Sequence, residues 1–131
     1  MKQQSILATG RRKEAVAKVW LFPEGRSHFL VNGKEWDRYF LTATRRHLVR
    51  EPLEKANLWG KVGVRAKVLG GGISGQAGAV RLGLARAIIE YKNELRGVFK
   101  KNKLLTRDPR SKERKKYGQK GARRRFQWTK R

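Results

Sequence analysis

Three groups of residues in this 131-residue chain have the types and spacing to grip phosphate. The first is Thr9-Gly10-Arg11-Arg12-Lys13, where three consecutive cations follow a glycine small enough to admit a close backbone. The second is Gly70-Gly71-Gly72-Ile73-Ser74-Gly75-Gln76, a glycine loop that opens a helix. Exposed N–H groups and the positive helix end favour an anion at such a place. It is not a Walker A loop, because no Gly-Lys-Ser/Thr follows and Gln76 stands where that lysine belongs. The third is the C-terminal stretch, which carries Arg107, Arg110, Lys112, Arg114, Lys115, Lys116, Lys120, Arg123, Arg124, Arg125, Lys130 and Arg131, interleaved with Tyr117, Phe126 and Trp128. Arginine binds phosphate through two parallel hydrogen bonds and stacks on bases. Aromatic rings stack on unpaired bases, each worth about 1–3 kcal/mol. Each group also has a plainer reading: a solvated basic turn, a tight turn, and a solubilising tail.

The other chemically capable residues form no catalytic arrangement. His28 and His47 are isolated, and Ser74 has no general base in view. Asp37, Glu51 and Glu54 lie among basic residues and read as local charge partners rather than a carboxylate pair. The chain has no cysteine, which excludes a disulfide framework, a thiolate zinc site and a thiol nucleophile. No enzyme, no metal and no cofactor is expected. Trp20 and Trp36 are expected in the core and Trp59 at a rim.

Charge narrows the class of partner. With 34 Lys plus Arg against 10 Asp plus Glu, the formal net charge is +24. Such a chain needs a polyanion to neutralise it, so nucleic acid or an anionic membrane is implied. The longest apolar run is the four residues Val19 to Phe22, against about 20 needed to span a membrane. The first residues lead into no signal-peptide apolar segment, so a cytosol-like compartment is expected. Residues 1–99 hold 19 basic and 8 acidic residues, a net of +11, whereas residues 100–131 hold 15 and 2, a net of +13. Aliphatic residues almost vanish after Leu105, and such a composition cannot bury enough surface to offset its ordering entropy. A globular domain over 1–99 and an extended basic tail over 100–131, ordering only on RNA, are therefore expected.

The elements that must position these groups give an α+β pattern. Ala15 to Phe22 reads as a strand broken by Pro23-Glu24-Gly25, and His28 to Val31 as a second strand closed by the Asn32-Gly33 turn. These two are expected to pair as a hairpin. Glu35 to Leu41 and Thr44 to Leu58 read as short helices, with Pro52 early in a second helical piece. Lys61 to Leu69 alternates, with Val62, Val64, Ala66 and Val68 on one side and Gly63, Arg65 and Lys67 on the other. That predicts a half-buried strand with a small, basic outer face. After the glycine loop, Ala77, Val80, Leu84, Ile88, Tyr91 and Leu95 fall on one helical face, with Arg81, Arg86 and Lys92 away from its centre. A further strand is expected near Leu104-Leu105.

Four blocks, taken in order, resemble the ninth small-subunit ribosomal protein family in its bacterial form. Thr9-Gly10-Arg11-Arg12-Lys13-Glu14-Ala15-Val16-Ala17 resembles its opening. Gly70-Gly71-Gly72, Gly75-Gln76, Ala79, Gly83 and Ala85-Arg86-Ala87-Ile88 resemble its central signature. Leu105-Thr106-Arg107-Asp108 with Arg110, then Glu113 to Gly118, resemble its tail, and Thr129-Lys130-Arg131 its ending. The likeness runs from about residue 8 to 131. It departs at 125–129, where Phe126 stands in place of a proline, and over 34–60 it matches only in pattern.

The resemblance implies a small β-sheet backed by helices, of the ribosomal protein S5 domain 2-like type, with a left-handed βαβ crossover. It implies a structural constituent of the small ribosomal subunit that binds the 3′ major domain of 16S-type rRNA in the subunit head, beside neighbouring head proteins. The basic tail would reach the anticodon stem-loop of peptidyl-site tRNA through Lys130 and Arg131. rRNA contacts would fall on Thr9 to Lys13, Gly70 to Gly72, Ser74 to Gln76, and the cations and Tyr117 of the tail. A nucleotide-dependent enzyme lacks its metal-binding acid near Gly72 to Ser74. A generic packaging protein would bind DNA and RNA alike with a steep salt dependence, and a membrane-active peptide would need an apolar face that the tail lacks.

Overall fold

The computed structural model describes residues 5–24, 27–107 and 117. Strand β1 runs over Ile6–Arg12 and β2 over Ala15–Phe22, joined antiparallel through Lys13-Glu14, with Lys13 at φ +53°. Strand β3 (Phe29–Val31) turns through Asn32-Gly33 into the short β4 (Lys34–Glu35). Both turn residues have positive φ, +51° and +82°, as a two-residue hairpin of this type requires. Helices α1 (Trp36–Tyr39) and α2 (Ala43–Lys55) lead into β5 (Gly63–Leu69), then α3 (Ile73–Tyr91), a 3-10 turn at Asn93–Leu95 and α4 (Arg96–Lys101).

The five strands form one mixed sheet in the order β1-β2-β5-β3-β4. All neighbours are antiparallel except β3 and β5, which run parallel and are bridged by β4, α1 and α2. The expected pairing of Ala15–Phe22 with His28–Val31 is therefore wrong. β5 lies between them, pairing antiparallel with β2 along one edge and parallel with β3 along the other, which satisfies backbone groups on both of its edges. The strand at Ile6–Arg12 was missed, since its three trailing residues are polar or glycine and dilute the alternation.

One face of the sheet is the core. Ala15, Ala17, Val19 and Leu21 of β2 and Val64, Ala66 and Val68 of β5 are buried there, with Phe29 and Val31 of β3. α3 packs on this face across β1 and β2, and α2 packs on α3 in turn. Lying between sheet and helix, α3 is buried around most of its circumference, including Ala79, Leu82 and Ala87 outside the predicted face. The alternation predicted for Lys61–Leu69 is present, although Gly63 is buried too.

α3 crosses β1 at a glycine-to-glycine contact. A Cβ built at Gly10 would lie 1.9 Å from the Ala79 carbonyl oxygen, and one at Gly83 would lie 2.8 Å from Val19 Cγ2 and 3.0 Å from Gly10 N. Only hydrogen at both positions lets helix and strand backbones approach this closely.

Two helix ends close in the same way. After α2, Asn57 N–H donates to Glu54 O at 3.1 Å and Leu58 N–H to Leu53 O at 2.9 Å, with Asn57 at φ +57°. After α4, Lys103 N–H donates to Lys100 O at 3.1 Å and Leu104 N–H to Phe99 O at 2.9 Å, with Lys103 at φ +58°. Both are Schellman caps, in which the residue after the left-handed position folds back on the helix. That places Leu104 in the core with Phe99, so Leu104-Leu105 is a cap and coil rather than the expected strand, and packing continues past residue 99. α2 also runs unbroken through Pro52, which is buried, so the expected second helical piece does not exist.

Candidate nucleic-acid interface

The β1–β2 turn, the glycine loop and the root of the C-terminal stretch meet at one end of the molecule. Gly70 and Gly71 sit at φ +77° and +63°. A Cβ on Gly70 would lie 2.7 Å from the Glu14 carbonyl oxygen, and one on Gly71 would lie 3.1–3.4 Å from Ala15 atoms. The loop thus leans on the turn that carries Arg11, Arg12 and Lys13. Gly72 is different: it is exposed, and a Cβ there would meet nothing within 4 Å. It caps the start of α3, whose first hydrogen bond runs from Gln76 N–H to Gly72 O at 2.9 Å.

Side chains hold this loop in shape. Gln76 Nε2 donates to Gly70 O at 3.1 Å, and Gln76 Oε1 accepts from the Tyr39 hydroxyl. The same hydroxyl accepts from Asn32 Nδ2 at 3.4 Å. Asn32 also donates to Val68 O at 3.1 Å and accepts from Val68 N–H at 2.8 Å, which extends the β3 ladder along β5. Both ends of the Gln76 amide are used inside the protein. Ser74 Oγ accepts from Arg45 Nε at 3.2 Å, which draws a cation of α2 beside the start of α3.

Arg12 lies along α3: a Cβ on Gly78 would fall 2.1 Å from Arg12 Cδ. A hollow beside it is lined by Arg11, Arg12, Leu48, Gly78, Arg81, Leu82, Leu104 and Thr106, so the chain leaves the core next to the turn cations. Arg81 is held by Glu51 through two bonds of 3.1 and 3.0 Å, tying α3 to α2. Arg86 donates to Thr9 O at 2.7 Å. Arg50 pairs with Glu54 and lies 4.6 Å over the Trp59 ring. Glu51 and Glu54 are local charge partners, as expected.

The predicted residues divide by environment. Arg11, Lys13, Gly70, Gly71, Gly72, Ser74 and Arg107 are exposed, whereas Thr9, Arg12 and Gln76 are half-buried. Gly10 and Gly75 are buried: the close approach at Gly10 is that of α3, and Gly75 faces Arg12 O and the Ala15 side chain. Tyr117 is exposed. Arg110, Lys112, Arg114, Lys115, Lys116, Lys120, Arg123, Arg124, Arg125, Lys130 and Arg131 lie outside the described residues.

Trp20 is not a core residue. It is half-buried on the opposite face of the sheet, with Lys18 and Phe22 of β2 and Arg65 and Lys67 of β5. Arg45 and the Trp20 side of β2 were the cationic and aromatic features the sequence reading passed over. Lys18, the one polar residue in Ala15–Phe22 and two positions from Trp20, was the available signal for the second. Among the described residues no group of three or more His, Asp or Glu could hold a metal, and no helix is long and apolar enough to cross a membrane.

Known proteins resemble the chain over its whole length. The sequence model of the family described as Ribosomal protein S9/S16 matches residues 10–131. The Small ribosomal subunit protein uS9 of Maridesulfovibrio salexigens is 51% identical over 131 residues, all of both chains. Those of Anaeromyxobacter sp. (strain K) and Anaeromyxobacter dehalogenans are each 48% identical over the same complete span.

Proposed function

The chain belongs to the Ribosomal protein S9/S16 family, a structural and non-enzymatic component of the small ribosomal subunit, and from that premise we propose how it holds its RNA. The domain anchors on small-subunit rRNA in the subunit head, within the 3′ major domain. Arg11, Lys13 and the exposed N–H groups around Gly72 meet phosphates, and Arg45 adds charge beside Ser74. The observation that carries this is the convergence of the turn cations, the glycine loop and the root of the C-terminal stretch on one end of the fold. Phosphate contacts of this kind set position and register rather than read sequence.

The basic C-terminal segment continues from this end, neutralising phosphates between RNA helices where a folded domain would not fit. Lys130 and Arg131 meet the anticodon stem-loop of tRNA in the peptidyl site of a cytoplasmic ribosome. The β3–α1–α2–β5 unit joins two parallel neighbouring strands, and we take it to be the left-handed crossover that the resemblance implies.

Sedimentation of a native lysate at low magnesium, with the protein followed by mass spectrometry, tests the assignment. Stoichiometric recovery with the small subunit after a moderate salt wash is expected. Spread across all nucleic-acid fractions would overturn it. Deletion of Lys130 and Arg131 should weaken tRNA binding to the peptidyl site of purified small subunits; unchanged affinity and frame maintenance would remove the tRNA role.

A further inference from the structure

Among the described residues, nothing covers the face of the sheet opposite α3. Register places its side chains in rows. Leu7, Trp20, Arg65 and Leu30 form one row across β1, β2, β5 and β3; Thr9, Lys18 and Lys67 form the next; Arg11, Val16 and Leu69 the third. Leu7 and Leu69 are 52% and 64% exposed, and Lys18, Arg65 and Lys67 are exposed. Trp20, Phe22, Arg65, Lys67 and Leu69 border a shallow depression of about 850 Å³.

Two features of this face suit an occupant. Lys18 and Lys67 are directly opposite each other on antiparallel strands. Cβ atoms so placed are about 4.5–5.5 Å apart, and like charges there destabilise the sheet. A large ring, Trp20, stands half-buried on this face directly opposite Arg65. Cations in a row beside an accessible ring suit a phosphate backbone carrying unpaired bases, with phosphates on the cations and a base on the indole.

We infer that the open sheet face docks a single-stranded segment of RNA, a base stacking on Trp20 while Lys18, Arg65 and Lys67 hold its phosphates. The inference rests on the rRNA-binding reading and adds to it a second surface, on the side of the sheet away from the glycine loop's helix. Other occupants fit the charge badly. Residues 100–131 of this chain carry 15 basic and 2 acidic residues and would be repelled. A second copy would oppose the same cations to themselves. Duplex RNA buries its base faces and leaves Trp20 without a partner.

The test uses the full chain with two probes, a 12-nucleotide single-stranded RNA and a 12-base-pair RNA duplex. Trp20→Leu keeps an apolar side chain but removes the indole. It should weaken single-strand binding at least fivefold, with duplex binding unchanged and Trp20→Tyr restoring most of the loss. The double variant Arg65→Gln/Lys67→Gln keeps Trp20 and should lower the slope of log affinity against log salt by about 1.4 for the single strand. Far-UV circular dichroism confirms that each variant folds.

If Trp20→Leu and the double variant both bind the single strand like the unaltered chain, while a chain ending at Arg107 binds it weakly, the sheet site is refuted and rRNA binding stands. If small subunits assembled with Trp20→Leu lose a neighbouring head protein but keep their single-strand protections, the face is a protein interface and the inference is overturned. Failure of the unaltered chain to bind either probe would refute the rRNA-binding reading itself.

Discussion

Gly10 and Gly72 both belong to sequence blocks that invite a phosphate, yet their surroundings are opposite. Around Gly10 there is no room: a methyl group would overlap the Ala79 carbonyl and the Gly83 backbone. Overpacking costs about 1–3 kcal/mol, and here the obstacle is backbone, which cannot rotate away. Gly10→Ala should therefore lower the melting temperature of the free chain by more than about 10 °C, taking roughly 4–8 °C per kcal/mol. A thermal unfolding curve followed by circular dichroism checks it. Around Gly72 there is open space and φ is −95°, which any residue adopts. Gly72→Ala should change stability by less than about 1 kcal/mol. If the loop contacts phosphate, the same variant weakens RNA binding by more than this small change in stability accounts for. Unchanged affinity would make the loop a tight turn alone. Gln76, whose amide donates to Gly70 O and accepts from the Tyr39 hydroxyl, sets the shape of the loop.

At the scale of elements, the end of α4 extends the described packing past residue 99. Its apolar residues look too sparse to end a core, yet the Schellman cap turns Leu104 inward against Phe99, and both are buried. Leu104→Ala should cost about 2–5 kcal/mol, as for other fully buried leucines. Urea unfolding of the full chain would show it as a lower midpoint with an unchanged slope. A negligible effect would mean that the chain leaves the core before residue 104. The 32-residue stretch beginning at Lys100 contains the last two residues of α4 and its cap, as well as the dense basic run. Charge and hydropathy mark where the composition changes; among the described residues, the cap carries the packing several residues further.

For the whole molecule, separation of fold from charge is the main expectation. Among the described residues the apolar core extends to Leu104-Leu105, and residues 100–131 carry more than half of the net charge. A chain ending at Arg107 should melt within a few degrees of the full chain when both are free of RNA. It should also lose most of its RNA affinity at physiological salt and show a shallower dependence on salt, because fewer cations displace counterions. Melting and binding measured on the same pair of proteins test both halves. A large drop in melting temperature would show that the segment beyond Arg107 supports the fold.

The sequence by itself determined the class of partner, the α+β composition and the two best-marked elements. Net charge is a sum over residues and needs no fold, and the alternation of Lys61–Leu69 and the run of small and apolar residues after Gly72 are local periodicities. The order of four motif blocks, readable without any structure, was enough to point to the family to which the chain belongs. Strand order was not legible, because β2 can pair on either edge, and only the competition among all strands inserts β5 between it and β3. Nor was the side on which Trp20 falls, since an aromatic residue in an alternating strand serves either face until a helix covers one of them. The meaning of the glycines was likewise left to tertiary structure. Glycine tolerates a close approach by a phosphate or by another backbone, and only the placement of α3 across β1 assigned Gly10 to the protein's own packing while leaving Gly72 open to solvent.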